Sequence, residues 1–461
     1  MPERNDGNRG IRRFPAFLLA ALALLPLASC RREPVPPRNV IFILVDTLRA
    51  DHLGTYGYAR PTSPNVDGFA REAIKFTAAR SQASCTFPSA NSILTSRYPS
   101  AFLGQADQAL GIPKNIPSVA EILREHGFRT AAVSASPVVR VTPSRYNPSA
   151  GFGRGFDVFE EGCMMRPASC VNRRAAELLQ RTDKPLFLYL HYMDPHGPYQ
   201  PPRHWKRRFA TGRPEKKWVR IGDPNPIGDW LYAGKKRPVF TPADLRHLVD
   251  LYDEEIAFFD DNFADLVATL RKGGWLDDSL VILVSDHGEE FLEHEHLKHC
   301  RALYDSSIHV PMLLRIPGVD AGAVAAPVQN VDLVPTILDY MGIDAGKRRF
   351  EGRSLRPLVE GKAGPAQPAP GMQYGLQATL RSASDGRYKL IQDLEANRAR
   401  LYDLQADPKE NRDVLAGERR SFFRLRDALA TWLARTEGGQ GESVRKAKES
   451  EQRLRSLGYI Q

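Results

Sequence analysis

The sequence lacks internal repeats, a recognisable nucleic-acid-binding motif and any apolar run long enough for a comfortable transmembrane helix. Its 461 residues include 64 Lys and Arg against 54 Asp and Glu, which gives a formal net charge of +10. This charge favours anionic partners such as lipid head groups, acidic glycans and phosphate or sulfate esters. Nucleic acid would suit the charge equally well, but without a motif we expect no nucleic-acid partner. With 42% hydrophobic residues, the chain can form one large core and a smaller domain.

The most apolar segment lies at the N-terminus and follows a basic stretch. Its length and small-residue cleavage site predict a secretory signal peptide over residues 1–29. The segment Leu27-Ala-Ser-Cys30 resembles the lipobox of bacterial lipoproteins, in which the Cys is diacylated and becomes the mature N-terminus. Arg31 stands where an inner-membrane retention signal would have Asp, so we expect a tether (residues 30–38) anchored through a lipidated Cys30 in the outer membrane of the cell envelope. The alternative is an ordinary cleaved signal with an incidental Cys30.

Cysteine is scarce, with five residues in the whole chain. Besides Cys30 these are Cys85, Cys163, Cys170 and Cys300, and an exported chain can keep disulfides. Cys163 and Cys170 are close enough in sequence to close a small loop. Cys85 and Cys300 lie in segments that we place at the functional site, where they could pair or remain free. The sequence leaves the pairing open.

Strand-like and helix-like segments alternate from Asn39 to about Gly342. This alternation predicts an α/β fold, a doubly wound and mostly parallel sheet flanked by helices on both faces. A capping box at Ser118, and Thr241 followed by a Pro at the first helical position, predict two helix starts. After Gly342 the pattern changes to short alternating strands followed by an amphipathic helix. We therefore predict a large α/β domain over residues 39–345 and a smaller C-terminal α+β subdomain over residues 346–461.

Two apolar, β-branched runs each end in acidic residues. Residues 39–45 are followed by Asp46, and residues 280–285 by Asp286 and His287. Such runs are typical of strands buried on both faces of a parallel sheet, and the side chains just past their carboxyl ends line a ligand-binding crevice. Two carboxylates and an imidazole gathered there predict a divalent-metal site. The alternative for Asp46 is a simple cap of the next helix.

Several motifs along the chain together resemble the sulfatase family of the alkaline phosphatase superfamily, in order over nearly the whole mature chain. They are Asp46-Thr-Leu-Arg-Ala-Asp51, Cys85-Thr-Phe-Pro-Ser89, Leu190-His-Tyr-Met-Asp-Pro-His-Gly-Pro-Tyr199, Ser285-Asp-His-Gly-Glu-Glu-Phe291 and Leu303-Tyr-Asp-Ser-Ser-Ile-His-Val-Pro311. The resemblance implies one divalent metal ion and an oxyanion ester attacked in line by a side-chain nucleophile. Charge grows on the ester oxygens and the leaving group, so a cation and basic side chains must neutralise it. Oxygen ligands suit Ca²⁺ or Mg²⁺, while an imidazole ligand favours Mn²⁺ or Zn²⁺.

The chain departs from the family pattern at the nucleophile. Sulfatases use a formylglycine made from the Cys of a Cys-x-Pro-x-Arg motif. Here Pro88 stands three residues after Cys85, and Ala90 occupies the Arg position. Aligned on Pro88, the nucleophile position falls on Thr86, so we do not expect a formylglycine.

Two further departures agree with a threonine nucleophile. Thr47 stands where sulfatases usually have a second Asp, and His287 stands where they usually have Asn. An Asp, a Thr and an Asp-His pair on one metal resemble the phosphoryl-transfer members of the superfamily, such as lipoteichoic acid synthases. Coordination lowers the pKa of a hydroxyl group, so a threonine alkoxide is a competent nucleophile.

The resemblance assigns roles to eight residues. Those that would bind the metal are Asp46, Asp286, His287 and Thr86, the last of which is also the nucleophile. Those that would hold the oxyanion or protonate the leaving group are His191 and His196, with Lys298 and His299 in a second basic cluster. His196, between a Pro and a Gly, could instead be a turn residue.

These assignments predict a metal-dependent hydrolase of sulfate or phosphate esters on envelope or extracellular substrates. The substrate would be an anionic ester of a glycan, a lipid head group or a small aryl alcohol. A phosphodiesterase or phosphotransferase based on Thr86 and acting on glycans or lipids is favoured over a formylglycine sulfatase. A catalytically silent lipoprotein that binds glycans is the remaining alternative.

Overall fold

The computed structural model describes residues 36–102, 111–144, 146–147, 150–181, 185–205, 207–210, 212, 214–221, 226–228, 230, 235–362, 372–377 and 379–436. The predicted signal peptide, Cys30 and most of the tether lie outside these residues. No helix in the described ranges is both long and apolar enough to cross a membrane.

Strands of two to seven residues run through the whole described chain. In chain order they are β1 (Asn39–Val45), β2 (Ile74–Phe76), β3 (Ala79–Arg80), β4 (Arg129–Ser134), β5 (Val158–Glu160), β6 (Leu186–Tyr192), β7 (Ser279–Ser285), β8 (Glu290–Phe291), β9 (Leu297–Lys298), β10 (Met312–Arg315), β11 (Gly322–Val324), β12 (Val328–Gln329), β13 (Gln373–Gln377), β14 (Leu380–Ser384), β15 (Tyr388–Asp393) and β16 (Arg398–Asp403).

The helices lie between these strands and at the end of the described chain. They are α1 (Pro64–Ala70), α2 (Thr86–Thr95), α3 (Val119–Glu125), α4 (Ala168–Leu179), α5 (Lys217–Ile221), α6 (Pro242–Lys272), α7 (Asp305–Ile308), α8 (Leu333–Tyr340), α9 (Arg356–Val359) and α10 (Arg419–Thr436), with 3₁₀ turns at Ala50–His52, Gly54–Tyr56, Pro99–Ala101 and Asn330–Asp332. Both predicted helix starts are confirmed, and each has a capping box, at Ser118 for α3 and at Thr241 for α6.

The main sheet contains eight strands in the order β11-β2-β10-β7-β1-β6-β4-β5. The five strands from β7 to β5 are parallel to one another, while β10 is antiparallel to both β7 and β2. The predicted α/β fold with a mostly parallel sheet is confirmed. Strand β1 lies between β6 and β7, so the connections diverge to opposite sides of the sheet at β1, where open α/β sheets bind ligands.

Every residue of β1 is buried, because helices cover both faces of this sheet. Ile41 and Ile43 pack into a core with α1, α4 and α6. Val40, Phe42 and Leu44, which point the other way, pack into a second core with α2, α3 and α8. Side chains alternate across a strand, so a continuous apolar run supplies both cores at once.

The C-terminal part of the described chain is a four-stranded antiparallel sheet in the order β13-β14-β15-β16. Residues 385–387 join β14 to β15, and α10 packs against these strands. Buried ion pairs join this sheet to the main fold, since Lys389 Nζ lies 2.8 Å from Asp305 Oδ1 and 3.0 Å from Glu410 Oε1. A small α+β region therefore follows the large α/β region, as predicted.

Two disulfides answer the pairing question that the sequence leaves open. Cys163 is bonded to Cys170 across seven residues, and Cys85 is bonded to Cys300 across 215 residues. The Cys85–Cys300 disulfide joins the residue before α2 to the segment after β9, two residues beyond the end of that strand.

Candidate metal centre and active site

Three neighbouring parallel strands deliver the predicted metal ligands to one edge of the main sheet. Leu44 of β1 pairs with His191 of β6, and Val45 pairs with Ser285 of β7. Asp46 therefore leaves β1 beside the point where Asp286 and His287 leave β7. The predicted juxtaposition of these residues is present in the structure.

Asp46, His191 and Asp286 form a buried cluster whose candidate ligand atoms lie within 4.8 Å of one another. His191 Nε2 is 3.3 Å from Asp46 Oδ2, and His287 Nε2 is 3.4 Å from Asp286 Oδ2. Sequence reasoning placed His191 with the oxyanion or the leaving group. Its position makes it a candidate metal ligand as well, and His287 Nε2 lies near both carboxylates, 3.9 Å from Asp46 Oδ1 and 3.4 Å from Asp286 Oδ2.

Local hydrogen bonds fix the orientation of these ligand groups. His287 Nδ1 lies 2.9 Å from the Gly288 carbonyl oxygen, which can only accept, so Nδ1 carries a hydrogen and Nε2 is the nitrogen turned towards the carboxylates. The backbone amides of Thr47 and His287 both donate to Asp286 Oδ1, at 3.2 Å and 2.8 Å. Thr47 reaches this position with a φ of 56°. Its left-handed backbone conformation therefore aims an amide at the carboxylate, and such strain often accompanies functional sites.

The donor set fits a divalent cation. Asp46 Oδ1 and Asp286 Oδ2 are buried and have no hydrogen-bond partner among the described residues. Burial and the charge of Asp46 raise the pKa of Asp286 to about 6. The pKa of Asp46 is lowered despite its burial, because of a hydrogen bond with His191 and the charges of His196 and His287. A cation between the two carboxylates would supply the missing partner of both unpaired oxygens and relieve their repulsion.

Thr86 places its hydroxyl group against this cluster. Its Oγ1 lies 3.2 Å from His287 Nε2 and 3.4 Å from Asp46 Oδ2. Thr86 is the first residue of α2, whose N-terminus carries unsatisfied N–H groups and a partial positive charge. The preceding residue, Cys85, is held in the disulfide with Cys300, so its sulfur is not a free thiol.

A second group of basic side chains lies beside the first. The imidazole ring of His299 is 4.7 Å from that of His287 and 5.1 Å from that of His196, centre to centre. Burial lowers the pKa of His196. Its Nδ1 has no hydrogen-bond partner in the described part of the chain. Lys298 is half-buried, and its charge acts on His196 and on the neighbouring Glu289.

Sequence reasoning missed Glu289 and Tyr199. Glu289 is fully buried, and its carboxylate accepts a hydrogen bond from the Tyr199 hydroxyl at 2.8 Å and lies 2.8 Å from His299 Nδ1. The available signal was its place three residues after Asp286, on the loop that carries the metal ligands.

The comparisons with known proteins agree with this fold. The family model for sulfatases matches residues 38–343, and the model described as the C-terminal region of N-sulphoglucosamine sulphohydrolase matches residues 293–436. The chain therefore belongs to the sulfatase family, whose members are metal-dependent ester hydrolases.

Curated relatives match most of the chain at low identity. An N-acetylglucosamine-6-O-sulfatase of Bacteroides thetaiotaomicron is 23% identical, with 87% of each chain covered. A choline-sulfatase of Rhizobium meliloti is 24% identical, with 81% of each chain covered.

Solved structures show the same fold. One, described as a complex with its substrate D-glucosamine-2-N,6-O-disulfate, gives a TM-score of 0.71 at 18% identity and covers 88% of this chain and 99% of its own. The phosphonate monoester hydrolase of Agrobacterium radiobacter gives a TM-score of 0.68 at 20% identity and covers 88% of this chain and 96% of its own. Both sulfate and phosphonate ester hydrolases thus share this architecture.

Proposed function

We propose that this protein is a metal-dependent hydrolase or transferase of phosphate esters that uses Thr86 as its nucleophile. The observation that carries the proposal is the position of Thr86 Oγ1, 3.2 Å from His287 Nε2 and 3.4 Å from Asp46 Oδ2, at the start of α2. The adjacent Cys85 is committed to a disulfide, which leaves Thr86 as the hydroxyl nucleophile at this position.

Some residues of the site would hold the metal ion, and others would take part in the reaction. Asp46, Asp286, His287 and His191 would hold the divalent cation. When bound, the cation would lower the pKa of the Thr86 hydroxyl and screen the charge of the ester oxygens. Thr86 would lose its proton to solvent and attack the central atom in line, while the N-terminus of α2 and His196 stabilise the charge on the transferred group.

The threonine side chain favours phosphorus over sulfur as the atom attacked. A formylglycine hydrate carries two hydroxyl groups on one carbon, so the second can expel the bound sulfate without further attack on sulfur. Thr86 has one hydroxyl group, and its ester must be broken by water or an alcohol attacking the central atom. Enzymes that form a covalent phosphoryl intermediate routinely resolve it in this way.

Hydrolysis of sulfate esters on glycans is the second candidate. It is favoured by the curated relative that acts as an N-acetylglucosamine-6-O-sulfatase and by the family match itself. The substrate of either reaction would be an anionic ester on an envelope or extracellular glycan or lipid. Anchoring through a lipidated Cys30 stays part of this proposal, and radiolabelled palmitate incorporation that is lost in Cys30→Ala would support it.

The test compares a panel of esters on the purified chain. Bis-4-nitrophenyl phosphate, 4-nitrophenyl phosphate, 4-nitrophenyl phenylphosphonate and 4-nitrophenyl sulfate are assayed with Mn²⁺, Zn²⁺, Mg²⁺ or Ca²⁺. We expect phosphorus esters to be cleaved, Thr86→Ala to lose at least about 10³-fold in kcat, and Thr86→Ser to stay within about 10-fold because it keeps the hydroxyl group.

Mass spectrometry of the peptide that contains Thr86 reports on the intermediate. A phosphoryl adduct on Thr86 after quenching at low pH supports the proposal. A formylglycine at Cys85, or cleavage of 4-nitrophenyl sulfate alone, would favour the sulfatase. Glycan binding without turnover of any ester would favour the remaining alternative, a catalytically silent protein that binds glycans.

A further inference from the structure

The carboxylate of Glu289 is fully buried and each of its oxygens has a partner. Oε2 accepts a hydrogen bond from the Tyr199 hydroxyl, and Oε1 lies 2.8 Å from His299 Nδ1. A carboxylate that accepts a hydrogen bond from Tyr199 can accept one from a second donor as well, so the hydrogen between Glu289 and His299 belongs to Nδ1 of the imidazole.

The segment that carries His299 is held from several sides. Its neighbours Lys298 and Cys300 have φ values of 65° and 68°, a left-handed conformation that is strained for residues with a Cβ atom. Cys300 is bonded to Cys85, and its amide donates to the Ser84 carbonyl oxygen at 2.6 Å. This segment is thus attached directly to the residues that precede Thr86.

The His299 imidazole thus has its Nδ1 held by Glu289, while its Nε2 has no hydrogen-bond partner among the described residues. Nε2 is therefore left to interact with a substrate. The ring lies 4.7 Å from the His287 ring, which in turn contacts Thr86 Oγ1. A leaving group opposite Thr86 needs a proton as its bond breaks, and an imidazolium stabilised by a carboxylate is a suitable donor.

We propose that Glu289 is a positioning residue, locked by Tyr199, that holds His299 so that its Nε2–H protonates the leaving group. The inference rests on the proposed function. As the bond between Thr86 Oγ1 and the phosphorus atom forms, the bond to the leaving oxygen breaks with its electron pair on that oxygen. That oxygen takes the Nε2 proton, and His299 becomes neutral while its Nδ1–H still donates to Glu289.

The experiment compares two leaving groups in Glu289→Gln. The substrates are methyl 4-nitrophenyl phosphate, whose leaving group departs well without a proton, and methyl phenyl phosphate, whose leaving group does not. We expect Glu289→Gln to lose about 10²-fold in kcat on the phenyl ester and less than about 5-fold on the nitrophenyl ester. Tyr199→Phe should show the same selectivity with a smaller loss, because Glu289 keeps its partner His299.

A double variant separates positioning from a general structural effect. If Glu289 acts through His299, then Glu289→Gln combined with His299→Asn loses no more on the phenyl ester than His299→Asn alone. Equal losses on both esters, or additive losses in the double variant, with unchanged metal content and thermal midpoint, would overturn the inference. Failure of the proposed function is recognised separately, because Thr86→Ala would then cleave both esters as the wild type does.

Discussion

Removing the disulfide between Cys85 and Cys300 should damage both stability and activity, whereas removing the other disulfide should affect stability alone. The Cys85–Cys300 bond spans 215 residues, and the Cys163–Cys170 bond spans seven. In the chain-entropy treatment, closing the long loop stabilises the fold by about 5 kcal/mol and closing the short one by about 2.5 kcal/mol. The double variant Cys85→Ser with Cys300→Ser is therefore expected to lose about twice as much free energy of unfolding as the matched Cys163→Ser with Cys170→Ser.

The activity difference follows from where the long-range disulfide lies. It joins the residue before Thr86 to the residue after His299, so its loss frees α2 and the segment that carries His299 from each other. Misplacement of a reacting group by about 1 Å can cost about 10²-fold in rate. At a temperature where both variants are folded, we expect kcat/KM to fall at least about 10-fold in the Cys85/Cys300 variant and to stay near wild type in the Cys163/Cys170 variant.

Urea unfolding followed by fluorescence and circular dichroism measures the first effect, and ester hydrolysis with saturating metal measures the second. Equal stability losses in the two variants would refute the loop-length argument. Full activity in a folded Cys85/Cys300 variant would refute the role of this disulfide in aligning the site.

Three further predictions concern the metal, the domain contact and one helix. Asp46→Asn should lose about 10²-fold or more in kcat, and elemental analysis should show that it has lost its bound metal. Mn²⁺ at 100 times its Kd should stabilise the wild type by about 2.7 kcal/mol but should not stabilise the variant. Lys389→Met should lower the free energy of unfolding in urea by about 3–5 kcal/mol, because it leaves the buried Glu410 carboxylate without its cation, while Asp305 keeps its ion pair with Arg80. Ser118→Ala should cost about 1 kcal/mol in the same measurement by removing the cap of α3, without changing kcat.

The main elements of the fold could be predicted because their signals are local. Continuous β-branched runs mark β1 and β7 as buried strands, and the residues that follow them must then meet at one edge of the sheet. The capping box of α3 and the Pro at the first helical position of α6 gave the starts of these helices because residues only a few positions apart form such signals. The antiparallel direction of β10 was beyond such reasoning, because an apolar run carries no record of the direction in which it enters a sheet.

The residues that form the site could be predicted more fully than their arrangement in space. Asp46, Asp286 and His287 come together as expected, and Thr86 lies against them. His191 lies closer to the carboxylates than its assigned role required, because its position on β6 is fixed by pairing with Leu44. The partnership of Glu289 with His299 depends on how one loop folds over another, and residue spacing carries no information on that.

The disulfide at Cys85 also changes how the protein must be made. A formylglycine enzyme matures when a separate enzyme modifies its cysteine, and heterologous production then depends on supplying that enzyme. Here the cysteine nearest the nucleophile position, Cys85, is held in a cross-link, so oxidation during folding assembles the site. Production in a reducing cytoplasm should therefore yield misaligned, poorly active chains, and an oxidising host is the appropriate choice.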